Sequence, residues 1–431
     1  MQTRLWGSLT LGCPPSQRAP WPLNPSTYRG LEKLQKSHRK SVAAGRMPTN
    51  FPDVARPLGG PDSRMPTGAR ATLVVGLIYL FLVGVSSLEA GIKIMGADTQ
   101  ERLFSAVSNP IAGLCVGILG TVLVQSSSAS TSVIVGLVAS GALGVDQAVP
   151  MIMGANIGTT VTNTLVSLGH VRQSAEFRRA FAAATVHDFF NVLAVLILLP
   201  VELIFRPISG IAKWVSELLV GSGGTEWKSP VKKWVKEPVG WLKDLWDQLG
   251  ASGNVKGALM VGTGLIIVLL ALALVTKNMR ALVADRIERS LNAILGKAGG
   301  LVALVVGMLV TIAVQSSSIT TSILIPLSAA GVLTLRNAYP VTLGANVGTT
   351  VTALLAALAA SSPDALTVAL THTTFNVAGI LLLYVLPFAR EVPVSAATLM
   401  ADLAVRRRVL AVCYVVVLFI VAPLLGVAIL R

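Results

Sequence analysis

The feature that most constrains this chain is a polar phrase that occurs twice inside otherwise apolar sequence. Gln125-Ser-Ser-Ser-Ala-Ser-Thr-Ser132 returns as Gln315-Ser-Ser-Ser-Ile-Thr-Thr-Ser322, with six of eight positions identical. Gly154-Ala-Asn-Ile-Gly-Thr-Thr-Val-Thr162 returns as Gly344-Ala-Asn-Val-Gly-Thr-Thr-Val-Thr352, with eight of nine identical. Both pairs are offset by 190 residues, as are Pro150 and Pro340. A third pair, His187-Asp-Phe-Phe-Asn191 and His372-Thr-Thr-Phe-Asn376, follows at an offset of 185. Three ordered matches of this kind mark an internal duplication.

The surroundings of these motifs are those of a membrane. Of 431 residues 53% are apolar and 13% charged, with a mean hydropathy of +0.71. A soluble domain carries about 25% charged residues, so a water-soluble enzyme is excluded. Each unit begins with a long apolar run, Leu73 to Met95 and Ala258 to Val275. Next comes a run broken by the serine cluster, residues 110–145 and 300–333. Each half of a broken run is about 15 residues, or ~22 Å of helix, too short to cross ~30 Å of hydrocarbon. Re-entrant helical hairpins with the serines at their tips are predicted. Two further spans complete each unit, 148–169 with 178–204 and 339–360 with 367–388.

Three crossings per unit is an odd number, so the second unit is inverted relative to the first. The expected fold is an all-α polytopic membrane protein of two inverted-topology repeats, each with a re-entrant hairpin, plus one C-terminal transmembrane helix at 409–430. Basic residues mark the cytoplasmic side. They fall at Arg172, Arg178 and Arg179, at Lys277, Arg280, Arg286 and Arg289, and at Arg406–Arg408. Eleven of the 35 Lys and Arg lie in residues 1–70. The chain then divides into a disordered basic cytoplasmic tail (1–70), repeat 1 (71–206), an extracytoplasmic connector (207–256), repeat 2 (257–390), and a basic loop with the final helix (391–431). The connector holds five of the seven tryptophans. Trp227, Trp234 and Trp241, seven apart, predict an amphipathic helix on the outer interface.

Residues 110–169 carry one charge, Asp146, and residues 300–360 one, Arg336, yet both are crowded with Gln, Ser, Thr and Asn. Unpaired hydroxyls and amides cost several kcal/mol each in hydrocarbon, so these groups must meet one another, water or a ligand. Helix–helix hydrogen bonding accounts for scattered residues such as Ser86, Ser87 and Ser140. It does not account for a serine cluster duplicated at two helix breaks. Inverted repeats place such breaks face to face near the midplane, with free N–H groups and helix N-termini directed at an anion. No Lys or Arg lies in either cluster, so bound cations must supply the counter-charge, and an anion:Na⁺ symporter follows. Hard cations prefer oxygen ligands. Candidates are Thr131, Ser132, Asn156, Thr160, Thr321, Ser322, Asn346, Thr350 and Asn376, with Asp188 as the intramembrane carboxylate. His187 and His372 read as helix contacts or as functional groups equally well.

At these residues the chain resembles the type II sodium-dependent phosphate cotransporters. The matching stretches are Gln125–Ser132, Pro150–Asn163, Glu176–Phe181, Thr185–Asn191, Leu199–Glu202, Gln315–Ser322 and Ala338–Thr352. The resemblance implies Na⁺-driven import of inorganic phosphate by alternating access across the cytoplasmic membrane of a bacterium. It places phosphate at Ser126, Ser127 and Ser128 and at Ser316, Ser317 and Ser318, with Gln125 and Gln315 completing the two clusters. It adds Thr164, Asn191 and Thr352 to the sodium ligands, and Asp188 implies electrogenic transport. Departures from vertebrate members fall at His170, Gln173, Ser174 and Ala345. Sodium is then the coupling ion, with no other cofactor, no transition metal and no nucleic-acid partner. Another small oxyanion as substrate, or an anion channel, are the alternatives. An intramembrane serine hydrolase lacks a Gly-x-Ser-x-Gly elbow, and an ATP-driven pump lacks a phosphate-binding loop.

Overall fold

A computed structural model describes residues 65–220, 230–295, 299–360 and 362–430, with the side chains of 230–232 and 283–295 outside that description. The expectations for residues 1–64 and for Trp227 therefore fall outside the described residues. The described residues contain helices and no strand. In repeat 1 these are α1 (Thr67–Met95), α2 (Ala97–Ala106), α3 (Pro110–Val124), α4 (Ser127–Ala139), α5 (Val145–Thr159), α6 (Val161–Leu168) and α7 (Ser174–Phe205). The connector forms α8 (Pro207–Val220) and α9 (Pro230–Gln248). Repeat 2 comprises α10 (Gly253–Leu295), α11 (Gly300–Val314), α12 (Ser317–Ser322), α13 (Leu324–Ala329), α14 (Leu335–Ala359) and α15 (Pro363–Ile380), which runs on as a π-helical turn, Leu381–Val385. Then come α16 (Pro387–Arg406), α17 (Arg408–Val416), a second π turn (Val417–Val421) and α18 (Ala422–Leu430).

Six helical stretches are long and apolar enough to span a membrane: Thr67–Met95, Ser174–Phe205, Gly253–Leu282, Leu335–Ala359, Pro363–Val385 and Arg408–Leu430. They coincide with six of the seven expected crossings. The seventh, 148–169, is divided at Thr160 into α5 and α6, whereas its counterpart α14 is unbroken. The chain is a multi-pass α-helical membrane protein.

The two serine hairpins start differently, at a capping Asn109 and at Gly299, and turn in the same way. Asn109 caps α3 by accepting from the amides of Ile111 (2.9 Å) and Ala112 (3.4 Å), with Pro110 pre-set in the first turn. α3 and α11, 15 residues each, end at Gln125 and Gln315, both left-handed, at φ 55° and 57°. Extended Ser126 and Ser316 then cap the helices that follow.

Glycine sets the spacing between hairpin and span. α3 packs on α5 as α11 packs on α14. A Cβ on Gly154 would strike the Leu114 carbonyl, and one on Gly344 the Leu304 carbonyl. The first spans of the two repeats meet by the same device. Gly84 faces Gly264, and Gly91 faces Gly257, so that an added Cβ on Gly91 would stand 2.7 Å from the Gly257 carbonyl. Small residues let helices approach closely where lipid offers no hydrophobic drive.

Two basic segments outside the expected spans are helical. Residues 277–295 continue α10, and 387–406 form α16. Proline starts α16, and its Val394, Ala397, Ala401 and Ala404 are buried in a face packed largely on α7. Arg178 of α7 pairs with Asp402 and holds that carboxyl below its usual range. Charges at Arg390, Glu391 and Asp402 conceal this apolar face from a hydropathy reading.

Gly154→Ala and Gly344→Ala should each destabilise the purified protein by about 1–3 kcal/mol through overpacking. Gly120→Ala, whose Cβ would meet nothing within 4 Å, is the control. Equal thermal midpoints for all three variants would refute the close-packing account.

Candidate functional site

The two serine tips line one cavity. Gln125–Ala129 and Gln315–Ser318 face it together, with Leu269, Leu270, Leu272, Ala273 and Thr276 of α10 closing one side around about 630 Å³. Among the described residues no Lys, Arg, Asp or Glu lines it. Ser126 Oγ accepts from the Ala129 amide and Ser316 Oγ from the Ile319 amide, both at 3.3 Å. The hydroxyls of Ser127, Ser128, Ser317 and Ser318 have no hydrogen-bond partner among the described residues. Four free donors and the first turns of two helical runs, Ser127–Ala139 and Ser317–Ala329, therefore address one space.

The glutamines act as elbows for the tips. Gln125 Nε2 donates to the Val122 carbonyl (2.6 Å), and Gln315 Nε2 to that of Ile312 (2.7 Å). Thr162 and Thr352 donate to the two Oε1 atoms, each at 3.0 Å. A side chain at each elbow thus closes the first helix and ties it to the neighbouring span. These bonds offset the roughly 1–3 kcal/mol of a left-handed non-glycine residue.

Behind the tips, a set of amides and imidazoles joins the repeats. Asn156 Nδ2 donates to Asn376 Oδ1 (2.7 Å), and His372 Nε2 donates to Asn156 Oδ1 (2.9 Å). Reciprocally, Asn346 Nδ2 donates to Asn191 Oδ1 (2.8 Å), and His187 Nε2 to Asn346 Oδ1 (2.6 Å). Asn191 Nδ2 closes the set on the Asn156 carbonyl (2.9 Å). All six residues are at most 3% exposed. Each repeat's Gly-Ala-Asn asparagine is held by the other repeat's His and Asn.

A second polar cluster breaks the symmetry. Asp188 is fully buried, and its Oδ2 accepts from Thr164 (3.0 Å) and from Tyr414 of α17 (3.0 Å). Its Oδ1 has no partner, nor has the hydroxyl of its repeat counterpart Thr373. One residue from Thr164, Asn163 crosses to repeat 2. Its Nδ2 donates to Thr321 Oγ1 (2.7 Å), and its Oδ1 accepts from Thr321 (3.0 Å) and Ser322 (3.1 Å).

The thirteen cation candidates therefore do not converge on one point. Asn156, Asn191, Asn346 and Asn376 form the clasp, and every one of their amide oxygens already accepts a hydrogen bond. Thr352 holds Gln315. Thr131 and Ser132 donate to the Ser128 carbonyl (3.3 and 2.6 Å), Thr160 to that of Ile157 and Thr350 to that of Val347 (2.8 Å each). Thr164 and Asp188 stay together, with the Thr160 hydroxyl beside them, as do Thr321 and Ser322 on Asn163. Among the described residues no group of three or more His, Cys, Asp or Glu could hold a metal ion.

Asn163, Thr162 and Tyr414 were not singled out from sequence. Asn163 had a signal, since Ala353 stands at its place in an almost identical stretch of repeat 2. Tyr414 had none, because it lies outside the duplicated units.

The Na+/Pi-cotransporter family model matches residues 80–221 and 267–401. Sodium-dependent phosphate transport protein 2A of Rattus norvegicus is 34% identical over 424 residues, covering 82% of this chain and 66% of that protein. Protein 2B of Homo sapiens is 35% identical over 444 residues, covering 82% and 64%. Protein 2A of Oryctolagus cuniculus is 35% identical over 428 residues, covering 81% and 66%. The chain spans just under two thirds of the length of these relatives. No solved structure matches it.

Asn346→Ala removes the partners of His187 Nε2 and Asn191 Oδ1 together. A buried polar group left bare costs about 1–3 kcal/mol, so the thermal midpoint should fall clearly, and Asn156→Ala should do the same from the other repeat. A variant as stable as the parent would show that the clasp does not hold the repeats together.

Proposed function

The chain belongs to the Na+/Pi-cotransporter family, and from that premise we propose that it imports inorganic phosphate together with sodium by alternating access. The observation that carries the reading is the shared cavity. Two serine tips from inverted repeats present four unpartnered hydroxyls and two helix starts to a space with no fixed positive charge. Tetrahedral oxyanions are recognised by such donors. Phosphate would be held by Ser126–Ser128 and Ser316–Ser318, with Gln125 and Gln315 shaping the tips.

A doubly charged guest among neutral donors needs counter-ions, which gives sodium its thermodynamic role. The strongest cation ligand is the Asp188 carboxylate, whose Oδ1 is bare while Thr164 and Tyr414 hold Oδ2 in place. Thr321 and Ser322, hydrogen-bonded to Asn163 beside Thr164, extend this cluster to the second tip. Sodium at Asp188 would thus be sensed by the hairpin that binds phosphate, a physical basis for coupling. A sodium ion at Asp188 would hold the carboxylate ionised, and the element that moves with or without that ion then carries charge, which supports an electrogenic cycle.

The proposed orientation puts the N-terminus in the cytoplasm. Its support is the alternation of basic segments, Arg172–Arg179 and Arg406–Arg408, with the tryptophan-rich connector.

Purified protein in K⁺-loaded liposomes should take up labelled phosphate only under an inward Na⁺ gradient. Uptake indifferent to Na⁺ would remove the symport reading. Asp188→Gly should leave uptake measurable but abolish the accompanying current, and an undiminished current would show that charge moves elsewhere.

A further inference from the structure

A second cavity of about 460 Å³ lies under α9, between it, α1 and α14. Its polar lining is Ser86, Glu89, Lys93, Lys236 and Lys243. Glu89 is buried and pairs with Lys93 at 2.6 Å. Lys236 and Lys243 form no ion pair or hydrogen bond among the described residues. Three ammonium groups against one carboxylate leave a net charge of +2 (3 − 1) in a partly enclosed space. Trp234 and Trp241 point away from this lining, each 67% exposed.

The position of the groove is what gives it meaning. α1 and α10 run antiparallel, with Gly91 beside Gly257, Gly84 beside Gly264, and Val74 and Leu77 beside Val275. The tip cavity touches α10 at residues 269–276 and is therefore level with the 74–80 stretch of α1. The lysine groove touches α1 at residues 86–94. At 1.5 Å per residue the two lie roughly 20 Å apart along the helix pair. They lie level with opposite halves of α1.

We infer that the lysine groove is a second anion site, built for a phosphate group and roofed by α9. Lysine ammonium groups bind phosphate as point charges, and basic side chains at a narrow approach concentrate anions. The serine tips offer donors without charge, whereas the groove offers charge, so the two suit successive stages of capture. Two sources share this chemistry, inorganic phosphate on its way to the tips and the headgroup of an anionic lipid. The approach role rests on the phosphate-transport reading, but binding itself does not.

The test is equilibrium binding of labelled inorganic phosphate, without Na⁺, to the full chain in phosphatidylcholine nanodiscs. The parent should show a weak, salt-sensitive component that Ser127→Ala/Ser317→Ala retains. Lys236→Gln/Lys243→Gln should weaken that component roughly tenfold. Glu89→Gln, which removes the opposing charge, should strengthen it, an effect that misfolding does not mimic. If the lipid headgroup is the occupant, phosphatidylglycerol in the nanodisc will suppress the phosphate component, and the double lysine variant will retain less phosphatidylglycerol on purification. The inference is overturned if the double lysine variant changes neither phosphate binding nor phosphatidylglycerol retention. It is also overturned if the Na⁺-independent component disappears with the serine variant alone. Phosphate binding at the groove in a protein without Na⁺-driven uptake would separate failure of the transport reading from failure of this one.

Discussion

In hydrocarbon an amide or imidazole without a partner is worth several kcal/mol of instability, and this protein places six such side chains at its centre. Each has at least one partner in the other repeat, and in this set only Nδ1 of His187 and Nδ1 of His372 are left without one among the described residues. Asn156 is gripped by His372 and Asn376, and Asn346 by His187 and Asn191. The exchange is reciprocal: the Oδ1 atoms of Asn156 and Asn346 each accept only from the other repeat, while Asn191 and Asn376 donate back to carbonyls of their own. Folding and the joining of the repeats are thereby the same event.

The hairpins inherit their positions from that clasp. Asn156 and Asn346 stand two residues after Gly154 and Gly344, whose missing side chains let α3 and α11 lie against the spans. Eight residues after each glycine, at Thr162 and Thr352, a hydroxyl catches the elbow glutamine. One short motif therefore supplies close packing, the inter-repeat bond and the tip anchor in turn. Placement of the serine hydroxyls follows from contacts made well behind them. The cation cluster departs from this symmetry, since Thr373 stands at the position of Asp188 in the second repeat, and Tyr414 comes from a helix outside both repeats.

Much of this was legible in the sequence because the duplication reports on three dimensions. Equal offsets at Gln125 and Gln315 predicted paired hairpins, and the odd number of crossings predicted inversion. The partners of the polar residues were not legible. Asn156, Asn191, Asn346 and Asn376 read from sequence as cation ligands, and an amide oxygen in an apolar span suits a cation and another amide equally. Only the fold shows which partner each oxygen has. Tyr414 reaches Asp188 from 226 residues away, a contact that no periodicity encodes. Helix α16 was hidden for the opposite reason, its buried alanine face being masked by charges on its other side.

The central claim is that one anion is held jointly by both tips. A double-mutant cycle on Na⁺-dependent phosphate binding, with Ser128→Ala, Ser318→Ala and their combination, measures this directly. A shared ligand predicts a coupling energy of about 0.5–3 kcal/mol between the two substitutions. Strictly additive losses would mean that the tips act on separate ions, and the joint site would have to be abandoned.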